Sequence, residues 1–252
     1  IKDNYSLERQ IKKIKELIKN MLIEDNVENI SEISFFYNNK NVKFYLPEKN
    51  DHIQRLIYAT KSFYELEMLN DIKNRVGNEG TFVDIGANIG NHSVFFSLIC
   101  NAKEVYSFEP NLEVYNILLK NIEINNIRNI KTFNMGLSEK KSFGDICIND
   151  INNLGMGKII ENKYGRIKLD TLDNILFEKV DKIDLIKIDV EGMELAVLRG
   201  SKRILEKYKP ILYIEAATKE QLSEIYSYLL QFDYKCEGVF NATPTYLFVP
   251  IK

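Results

Sequence analysis

Polar and apolar residues alternate in two short runs near the start of the chain, ISFFY and VKFYL. Both runs are rich in β-branched and aromatic residues, which favour strands. The gap between them, residues 38–41, is rich in asparagine, a residue that hairpin turns favour. We therefore predict a β-hairpin at this place in the chain.

A second pattern, upstream of the hairpin, has a helical period. Apolar residues step by four and three at Leu7, Ile11, Ile14, Ile18 and Met21, with lysines and glutamates between them. This spacing predicts a helix over residues 7–21 with a narrow apolar stripe. Two interpretations stay open: a helix packed on its own domain, or the end of a coiled coil that would make the protein a homodimer.

Farther along, strands and helices alternate. Residues 53–76 are predicted to be mostly helical, with the helix ending at Gly77. Five apolar strands then alternate with helices along the chain. The strands are TFVDI, EVYSF, IKTFNM, DLIKID and ILYIEA, and the helices are predicted at 91–99, 112–125, 193–208 and 219–232. An irregular polar stretch is predicted from 138 to about 165. This alternation predicts a parallel sheet with helices on both faces.

Two final apolar runs, YKCEGVF and TYLFVP, are separated by only a short turn. A parallel crossover needs a dozen residues or more, so these two strands must pair antiparallel. We therefore expect an α/β fold with five parallel strands and a C-terminal antiparallel hairpin. This layout resembles the Rossmann-like seven-strand sheet of the class I methyltransferases, whereas a dehydrogenase would normally continue with another helical crossover.

The first strand of the sheet leads into a glycine-rich turn, DIGANIG, which begins at Asp84. Gly86 and Gly90 allow the backbone to turn tightly and to approach a ligand, and the helix that follows presents free N–H groups. Asp84 would repel a diphosphate and suits a cation, such as the ammonium of an amino acid or a sulfonium. Asn88 stands where the dinucleotide fingerprint has its second glycine, so that fingerprint does not match.

The second strand ends in SFEP, which places Glu109 at the same edge of the sheet. A carboxylate there can accept hydrogen bonds from both hydroxyls of a ribose. Taken alone, Glu109 is also consistent with capping the next helix. Together with the turn that begins at Asp84, it predicts a bound nucleoside.

The fourth and fifth strands also end in charged residues, namely Lys187, Asp189 and Glu191 after one strand and Glu215 after the other. We expect their ends to meet at the rim of the same cleft, on the side where a methyl acceptor would lie. A lysine inside an apolar parallel strand is costly unless it is paired. Asp189 or Glu215 is the expected partner of Lys187.

Three roles are open for these groups. They can be structural, with Glu191 at a helix N-terminus and Lys187 in a buried ion pair. One carboxylate can act as a general base on a hydroxyl. Alternatively, Asp189, Glu191 and Glu215 can supply oxygen ligands to Mg²⁺. His92, in the first turn of the helix after the glycine turn, is either a near-neutral base or a simple polar contact.

Five segments of this chain, in this order, resemble the FkbM family of S-adenosylmethionine-dependent O-methyltransferases. They are FVDIGANIGNHSVFF, FEPNLEVYNILLKNIEINN, KLDTLDNI, DLIKIDVEGMELAVLRGS and PILYIEA. The upstream SFYELEMLNDI resembles the helix before that family's first strand. On this basis we expect the methyltransferase domain to span residues 53–252, and residues 1–52 to form an N-terminal helix and hairpin extension.

The resemblance also implies an activity: transfer of a methyl group from S-adenosylmethionine to a hydroxyl, often on a sugar or a natural-product glycoside. It implies that Asp189 and Glu191 lie on the acceptor side and that the loop 149–158 helps to cover the acceptor. The residues that it implies for the cofactor are Asp84, Gly86, Asn88, Gly90 and Glu109.

Composition and charge limit the kinds of partner and the cellular location that we expect for this chain. The formal net charge is −2 with the charges interspersed, and the absence of a basic stripe argues against a nucleic-acid acceptor. No apolar run approaches the roughly 18 residues that span a bilayer. The three cysteines contain no C-x-x-C pair, which favours a reducing, cytoplasmic setting. The chain begins at Ile1 without a methionine or a signal-peptide pattern, and the sequence leaves open whether it is a fragment of a longer protein.

Two other functions compete with the methyltransferase. One is a nicotinamide-dependent oxidoreductase that uses the same glycine-rich corner. The other is a non-catalytic nucleoside-binding module in a larger assembly, with the apolar stripe at 7–21 as its interaction surface.

Overall fold

The computed structural model describes residues 32–48, 50–147 and 157–251. The helix predicted at 7–21 and most of the loop 149–158 lie outside these residues. The homodimer through that helix therefore stays a prediction. No helix within the described ranges is long and apolar enough to cross a membrane.

The predicted hairpin is present as strands β1 (Glu32–Tyr37) and β2 (Lys40–Tyr45), which pair antiparallel. Asn38 and Asn39 form its turn with φ angles of 46° and 60°, both in the left-handed region. A two-residue turn of this kind matches the right-handed twist of the flanking strands. Asparagine tolerates positive φ better than most residues, which explains its use here.

The segment predicted as mostly helical at 53–76 forms two helices, α1 (His52–Thr60) and α2 (Leu66–Val76). Lys61 ends α1 in the left-handed conformation, and Glu65 precedes α2 in the same conformation. Helix α2 ends at Gly77, as predicted. The break leaves Tyr64 and Glu65 in a short connection between the two helices.

The remaining elements follow in chain order. They are β3 (Thr81–Ile85), α3 (Asn91–Leu98), β4 (Glu104–Phe108), α4 (Leu112–Ile124), β5 (Ile130–Phe133), β6 (Gly136–Leu137), β7 (Ser142–Cys147), β8 (Lys158–Glu161), β9 (Ile167–Asp170), α5 (Leu172–Leu176), β10 (Leu185–Ile188), α6 (Glu194–Arg199), α7 (Lys202–Tyr208), β11 (Ile211–Glu215), α8 (Lys219–Leu229), β12 (Tyr234–Phe240) and β13 (Thr245–Pro250).

Seven strands form the main sheet in the order β5-β4-β3-β10-β11-β13-β12. The first five are parallel, whereas β13 runs antiparallel to both β11 and β12. This arrangement confirms the predicted sheet. The strand order reverses beside β3, so a crevice opens at the carboxyl ends of β3 and β10, the place where doubly wound sheets bind ligands.

The stretch from 138 to about 165 was predicted to be irregular, and that prediction is wrong at Ser142–Cys147 and Lys158–Glu161, which form β7 and β8. Together with β6 and β9, which flank the stretch, they form a second sheet in the order β6-β9-β7-β8. Its strands are two to six residues long. Strands this short do not show the sustained alternation by which a strand is recognised, and their exposed positions include Phe143 and Ile160 as well as polar residues. Ile146 and Ile159 are neighbours across β7 and β8 and face the main cleft.

The single helix predicted at 193–208 is also wrong, because the chain forms α6 and α7 with a break at Gly200 and Ser201. A Cβ atom at Gly200 would lie 2.1 Å from the carbonyl oxygen of Ser138. Glycine is therefore needed where the helical segment crosses the loop after β6. Its presence lets two backbone segments touch, and the helix is interrupted at the crossing.

The hairpin is packed against α3 through Phe63, the residue that precedes Tyr64. The ring of Phe63 stands edge-on to Phe35 at 5.4 Å, to Phe44 at 5.9 Å and to Phe95 at 5.0 Å. Phe35 and Phe44 belong to the hairpin and Phe95 to α3, so one buried cluster joins them. This cluster fixes the connection between α1 and α2 against the start of α3.

Candidate active site

The glycine-rich turn lies at the carboxyl end of β3 and leads into α3. Gly86 has a φ of 75°, and a Cβ atom there would lie 1.8 Å from the carbonyl oxygen of Asp189. Asn88 has a φ of 50°, and Gly90, which begins the helix, has a φ of 91°. Asparagine at position 88 therefore fills a left-handed position that glycine would otherwise occupy, and its Oδ1 accepts from the Ile89 N–H at 2.7 Å.

Asp84 is fully buried beneath this turn. Its Oδ2 accepts from the Ser93 hydroxyl at 2.5 Å, and its Oδ1 lies 3.7 Å from Lys187 Nζ. No hydrogen bond to Oδ1 occurs among the described residues. The sequence predicted that Asp84 suits a cation, and the cation that the structure places beside it is Lys187.

Glu109 follows β4 at the same edge of the sheet and is 7% exposed. Its Oε2 accepts from the Asn88 N–H at 2.9 Å, and its Oε1 accepts from the Asn111 N–H at 2.8 Å. Burial raises the pKa of Glu109 to about 7, although these two N–H groups favour the carboxylate. Each oxygen of a carboxylate has two lone pairs, so both can accept a further hydrogen bond from a ligand.

An open cleft extends from Glu109, after β4, across the end of β3 to the residues that follow β10. Its apolar walls include Phe108, Met135, Ile146 and Ile159, and Asp189 and Glu191 lie at its far end. Ile146 and Ile159 come from the second sheet, which therefore forms one wall of the cleft. Sequence reasoning missed this wall because it predicted no strands there.

Lys187 is 2% exposed and lies between the two carboxylates at the ends of β3 and β10. Its Nζ lies 3.3 Å from Asp189 Oδ2 and donates to the Gly86 carbonyl at 3.0 Å. Burial alone would lower the pKa of Lys187, but the charges of Asp189 and Asp84 raise it above its ordinary value. The predicted pairing of Lys187 with Asp189 is thus present.

Asp189, Glu191 and Glu215 each offer a carboxylate oxygen within 4.8 Å of the others. Burial and the charge of Asp189 raise the pKa of Glu215 to about 9, so Glu215 carries the proton of the hydrogen bond that joins them. Burial disfavours the charged form of Asp189, yet Lys187 and the Glu215 hydrogen bond lower its pKa below the ordinary value. Glu215 and Asp189 are therefore an acid and a carboxylate in contact.

Glu191 differs from its two neighbours. It lines the cleft and is half-buried, and its φ of 55° is in the left-handed region. Burial, together with the charges of Asp189 and Glu194, raises its pKa to about 7. A non-glycine residue held in this backbone region is typical of functional sites, and a carboxyl of this pKa exchanges protons near neutrality.

His92 is buried in the first turn of α3, and its Nε2 lies 3.0 Å from Glu65 Oε2. Asn91, the residue before it, holds the backbone of Tyr64 with two hydrogen bonds: it accepts from the Tyr64 N–H at 2.9 Å and donates to the Tyr64 carbonyl at 3.0 Å. The His52 ring stands edge-on to the Tyr64 ring at 6.4 Å. The structure thus adds Tyr64 and Glu65 to the candidate residues.

Sequence reasoning did not identify Tyr64 and Glu65 as site residues. Burial raises the pKa of the Tyr64 hydroxyl, and the charges of Glu65, Asp189 and Glu215 raise it further, which places Tyr64 beside the acidic cluster. The only sequence signal was the segment SFYELEMLNDI, quoted above for its resemblance to a helix. Nothing in that segment indicates that the chain breaks before α2 and turns these two side chains toward α3.

The carboxyl cluster was also a candidate site for Mg²⁺. Asp189 already faces the ammonium of Lys187 at 3.3 Å. A divalent cation bound to Asp189 would lie next to this fixed positive charge. This donor set therefore fits Mg²⁺ poorly, and we derive no chemical step through a metal.

The strand order of the main sheet and the cleft at its reversal point define a class I methyltransferase. The chain belongs to the methyltransferase FkbM domain family, whose model matches residues 84–236. The resemblance read from the sequence is thereby confirmed.

Two curated relatives are methyltransferases. The methyltransferase sdnD of Sordaria araneosa is 30% identical over 52% of this chain and 63% of its own length. The hexuronic acid methyltransferase AglP of Haloferax volcanii is 33% identical over 49% of this chain and 50% of its own length. The chain thus spans about half to three-fifths of these relatives.

A solved FkbM methyltransferase from Methylobacillus flagellatus has a similar fold. It superposes with a TM-score of 0.51 at 23% identity and covers 68% of this chain and 43% of its own chain.

Proposed function

We propose that this chain is an S-adenosylmethionine-dependent O-methyltransferase that acts on a hydroxyl of a sugar, a glycan or a related small molecule. The observation that carries the proposal is the continuity of one cleft between two kinds of group. Glu109, suited to a ribose, lies at one end of the cleft, and Asp189 and Glu191, suited to a hydroxyl, lie at the other. The glycine-rich turn lies between them.

The residues at the first end fit S-adenosylmethionine. Glu109 retains lone pairs for the ribose hydroxyls, and the apolar wall at Phe108 and Met135 suits an adenine ring. Gly86 keeps the backbone low beneath the cleft, because any side chain would collide with Asp189. The bound cofactor would supply an electrophilic methyl group, and the protein supplies the alignment for its transfer.

At the other end, Glu191 is the proposed general base. It lines the cleft, and its pKa of about 7 allows it to be ionised at neutral pH and still to accept a proton effectively. Asp189, kept ionised by Lys187 and by the proton of Glu215, is positioned to accept a hydrogen bond from the acceptor hydroxyl and orient it. His92 is held by Glu65 and has a polar-contact role in this scheme.

The relatives support a sugar-type acceptor, since AglP is named as a hexuronic acid methyltransferase. The acidic rim of this chain favours a neutral hydroxyl over a carboxylate as the methylated group. Asp189 and the ionised form of Glu191 would repel an acceptor carboxylate, and Lys187 beside Asp189 is buried and already paired. A phosphate-rich acceptor is disfavoured for the same reason.

Free thiols at Cys100 and Cys236 support a reducing, cytoplasmic location. The low net charge supports an acceptor other than nucleic acid. The homodimer through residues 7–21 stays a prediction from the sequence.

Transfer of a labelled methyl group tests the proposal. The protein is incubated with labelled S-adenosylmethionine and a panel of neutral sugars, glycosides and hexuronic acids, with and without a chelator. We expect label on a hydroxyl of a neutral acceptor, unaffected by the chelator, and a loss of rate of about 100-fold or more in Glu191→Gln. If no member of a broad panel is labelled, or if the label is on a carboxylate, the proposed acceptor chemistry is contradicted. Loss of activity with the chelator would show instead that the reaction depends on a metal ion.

A further inference from the structure

The position of Glu65 is not explained by a helix-capping role. It stands at the N-cap position of α2, yet its side chain makes no capping hydrogen bond to that helix. Instead its Oε2 contacts His92 Nε2 in α3 at 3.0 Å, and its backbone is held in the left-handed region with a φ of 57°. A left-handed conformation is uncommon for a glutamate, although exposed residues such as Glu79 also adopt it here, so the contact with His92 is the feature that distinguishes Glu65.

The surroundings of Glu65 place it beside the glycine-rich turn. The preceding residue, Tyr64, is clamped to Asn91, the first residue of α3 after Gly90. Glu65 is also among the carboxylates whose charge raises the pKa of Lys187, and Lys187 Nζ donates to the carbonyl of Gly86. The Glu65 carboxylate therefore lies at the first turn of α3, directly after the glycine-rich turn whose Asn88 N–H donates to Glu109.

Asp84, the carboxylate that sequence reasoning assigned to the cofactor's cation, is differently placed. It is 0% exposed, one oxygen accepts from Ser93, and the other faces the ammonium of Lys187. A ligand ammonium at Asp84 would have to enter the protein core beside an existing buried cation. The side chain of Glu65 retains 12% exposure and contacts its histidine through one oxygen.

We infer that Glu65 binds the α-ammonium of the cofactor's amino-acid end, and that Asp84 serves to hold Lys187. The inference rests on the proposed function, because it assumes an S-adenosylmethionine-type ligand with its ribose at Glu109. From there the amino-acid end has to extend past Gly86 toward the start of α3. Asp189 and Glu191 are also partly exposed and line the cleft beside Gly86, but Asp189 is already paired with Lys187. Glu65 is a partly exposed carboxylate at the start of α3, where its contact is with His92.

The experiment separates the amino-acid end of the ligand from its adenosine. Isothermal titration calorimetry of the full chain compares S-adenosylhomocysteine with 5′-methylthioadenosine, which has the same adenosine and a thioether but lacks the amino-acid end. Glu65→Gln keeps the shape of the side chain and an oxygen that can accept from His92, and it removes only the charge. We expect this variant to bind S-adenosylhomocysteine roughly 10- to 100-fold more weakly than the wild type does. Its affinity for methylthioadenosine should stay within about twofold of the wild-type value.

Three further variants keep the result interpretable. Glu67→Gln, a change at an exposed glutamate of α2, should weaken neither ligand. Glu109→Gln should weaken both ligands, because both contain the ribose. Glu65→Asp, which retracts the charge without removing it, should weaken only S-adenosylhomocysteine and by less than Glu65→Gln, and it provides the measurement if Glu65→Gln does not fold.

The outcomes are distinct. If the wild-type protein binds neither ligand, the proposed function itself fails. If it binds both, but Glu65→Gln has unchanged affinity for S-adenosylhomocysteine or loses both ligands equally, the role of Glu65 is overturned while the proposed function stands. A selective loss of S-adenosylhomocysteine in Asp84→Asn rather than in Glu65→Gln would place the ammonium at Asp84 and overturn the inference as well.

Discussion

At the scale of single residues, Gly86 shows most clearly that the turn requires a residue without a Cβ atom. Two costs meet at this position: a positive φ and a backbone oxygen 1.8 Å from where a Cβ would be. Gly77, which ends α2, has a similar φ of 72° but has no atom within 4 Å of its would-be Cβ. A comparison of alanine substitutions at Gly77 and Gly86 therefore separates the cost of a positive φ from the cost of the steric clash with Asp189.

We predict that Gly86→Ala destabilises the protein by more than Gly77→Ala. The Gly77 variant should lose about 1–3 kcal/mol, the usual cost of an unfavourable φ. The Gly86 variant should lose that amount and also force β3 and β10 apart at the turn, with loss of cofactor binding. Urea denaturation of both variants measures the difference, and equal losses would show that the contact with Asp189 does not matter.

Glu191 gives a prediction in pH. Its raised pKa of about 7 means that it is protonated below that pH and ionised above it. A general base must be ionised, so kcat/KM should rise as the pH increases through about 7 and then level off. A pH–rate profile of the wild type and of Glu191→Gln checks this, since the rise should vanish in the variant. A rise that is retained without Glu191 would assign the base to another group.

Residues differed in how far the sequence could identify them. Short local motifs were enough to propose four candidate positions from the sequence. The motifs reflect one turn and one strand end, and the positions are Gly86, Asn88, Gly90 and Glu109. Glu65 could not, because its role depends on a chain break and on contact with His92, which is 27 residues away. Local patterns carry no record of such contacts.

At the scale of elements, the hairpin and α4 are joined by asparagine side chains. Asn121 is fully buried; its Oδ1 accepts from the Tyr45 N–H at 2.6 Å, and its Nδ2 donates to the Ile89 carbonyl at 2.8 Å. Strand β2 is thereby linked through one side chain to the glycine-rich turn. Asn125, one helical turn later and less buried, pairs with the N–H and the carbonyl of Lys43.

We predict that Asn121→Ala lowers the free energy of unfolding by about 2–4 kcal/mol, since it leaves two backbone groups without partners in the core. Because Ile89 belongs to the glycine turn, the same variant should also weaken the binding of S-adenosylhomocysteine. Asn125→Ala is the matched control and should cost clearly less, since water can replace its contacts. Similar losses in both variants, with cofactor affinity intact, would argue against a link between hairpin and turn.

The elements that were predicted correctly share one property. Strands β3, β4, β10 and β11 are apolar and are separated by helices with clear periods, so pattern and structure agree. The second sheet lacks that agreement: its strands are short, and their stability comes from pairing with one another and from covering the cleft. The break between α6 and α7 likewise depends on the contact between Gly200 and Ser138, a long-range packing event.

At the scale of the whole molecule, the topology brings four strand ends to one cleft and sorts their charges. Glu109 lies on one side of β3, and Asp189 and Glu191 lie on the other, with Lys187 buried beneath Asp189. An acidic cleft of this kind favours a cationic cofactor over a nicotinamide dinucleotide, whose diphosphate it would repel. The antiparallel pairing of the last two strands could be predicted because the turn between them is too short for a crossover, whereas the protonation states at the rim depend on burial that only the folded chain defines.

The most direct measurement of the central claim is calorimetry of the intact, folded chain with S-adenosylhomocysteine, and with NADH as the comparison ligand. The account predicts one binding site for S-adenosylhomocysteine, weakened about tenfold or more by Glu109→Gln, and no heat of binding for NADH. Binding of NADH, or no binding of S-adenosylhomocysteine by protein that is shown to be folded, would contradict it.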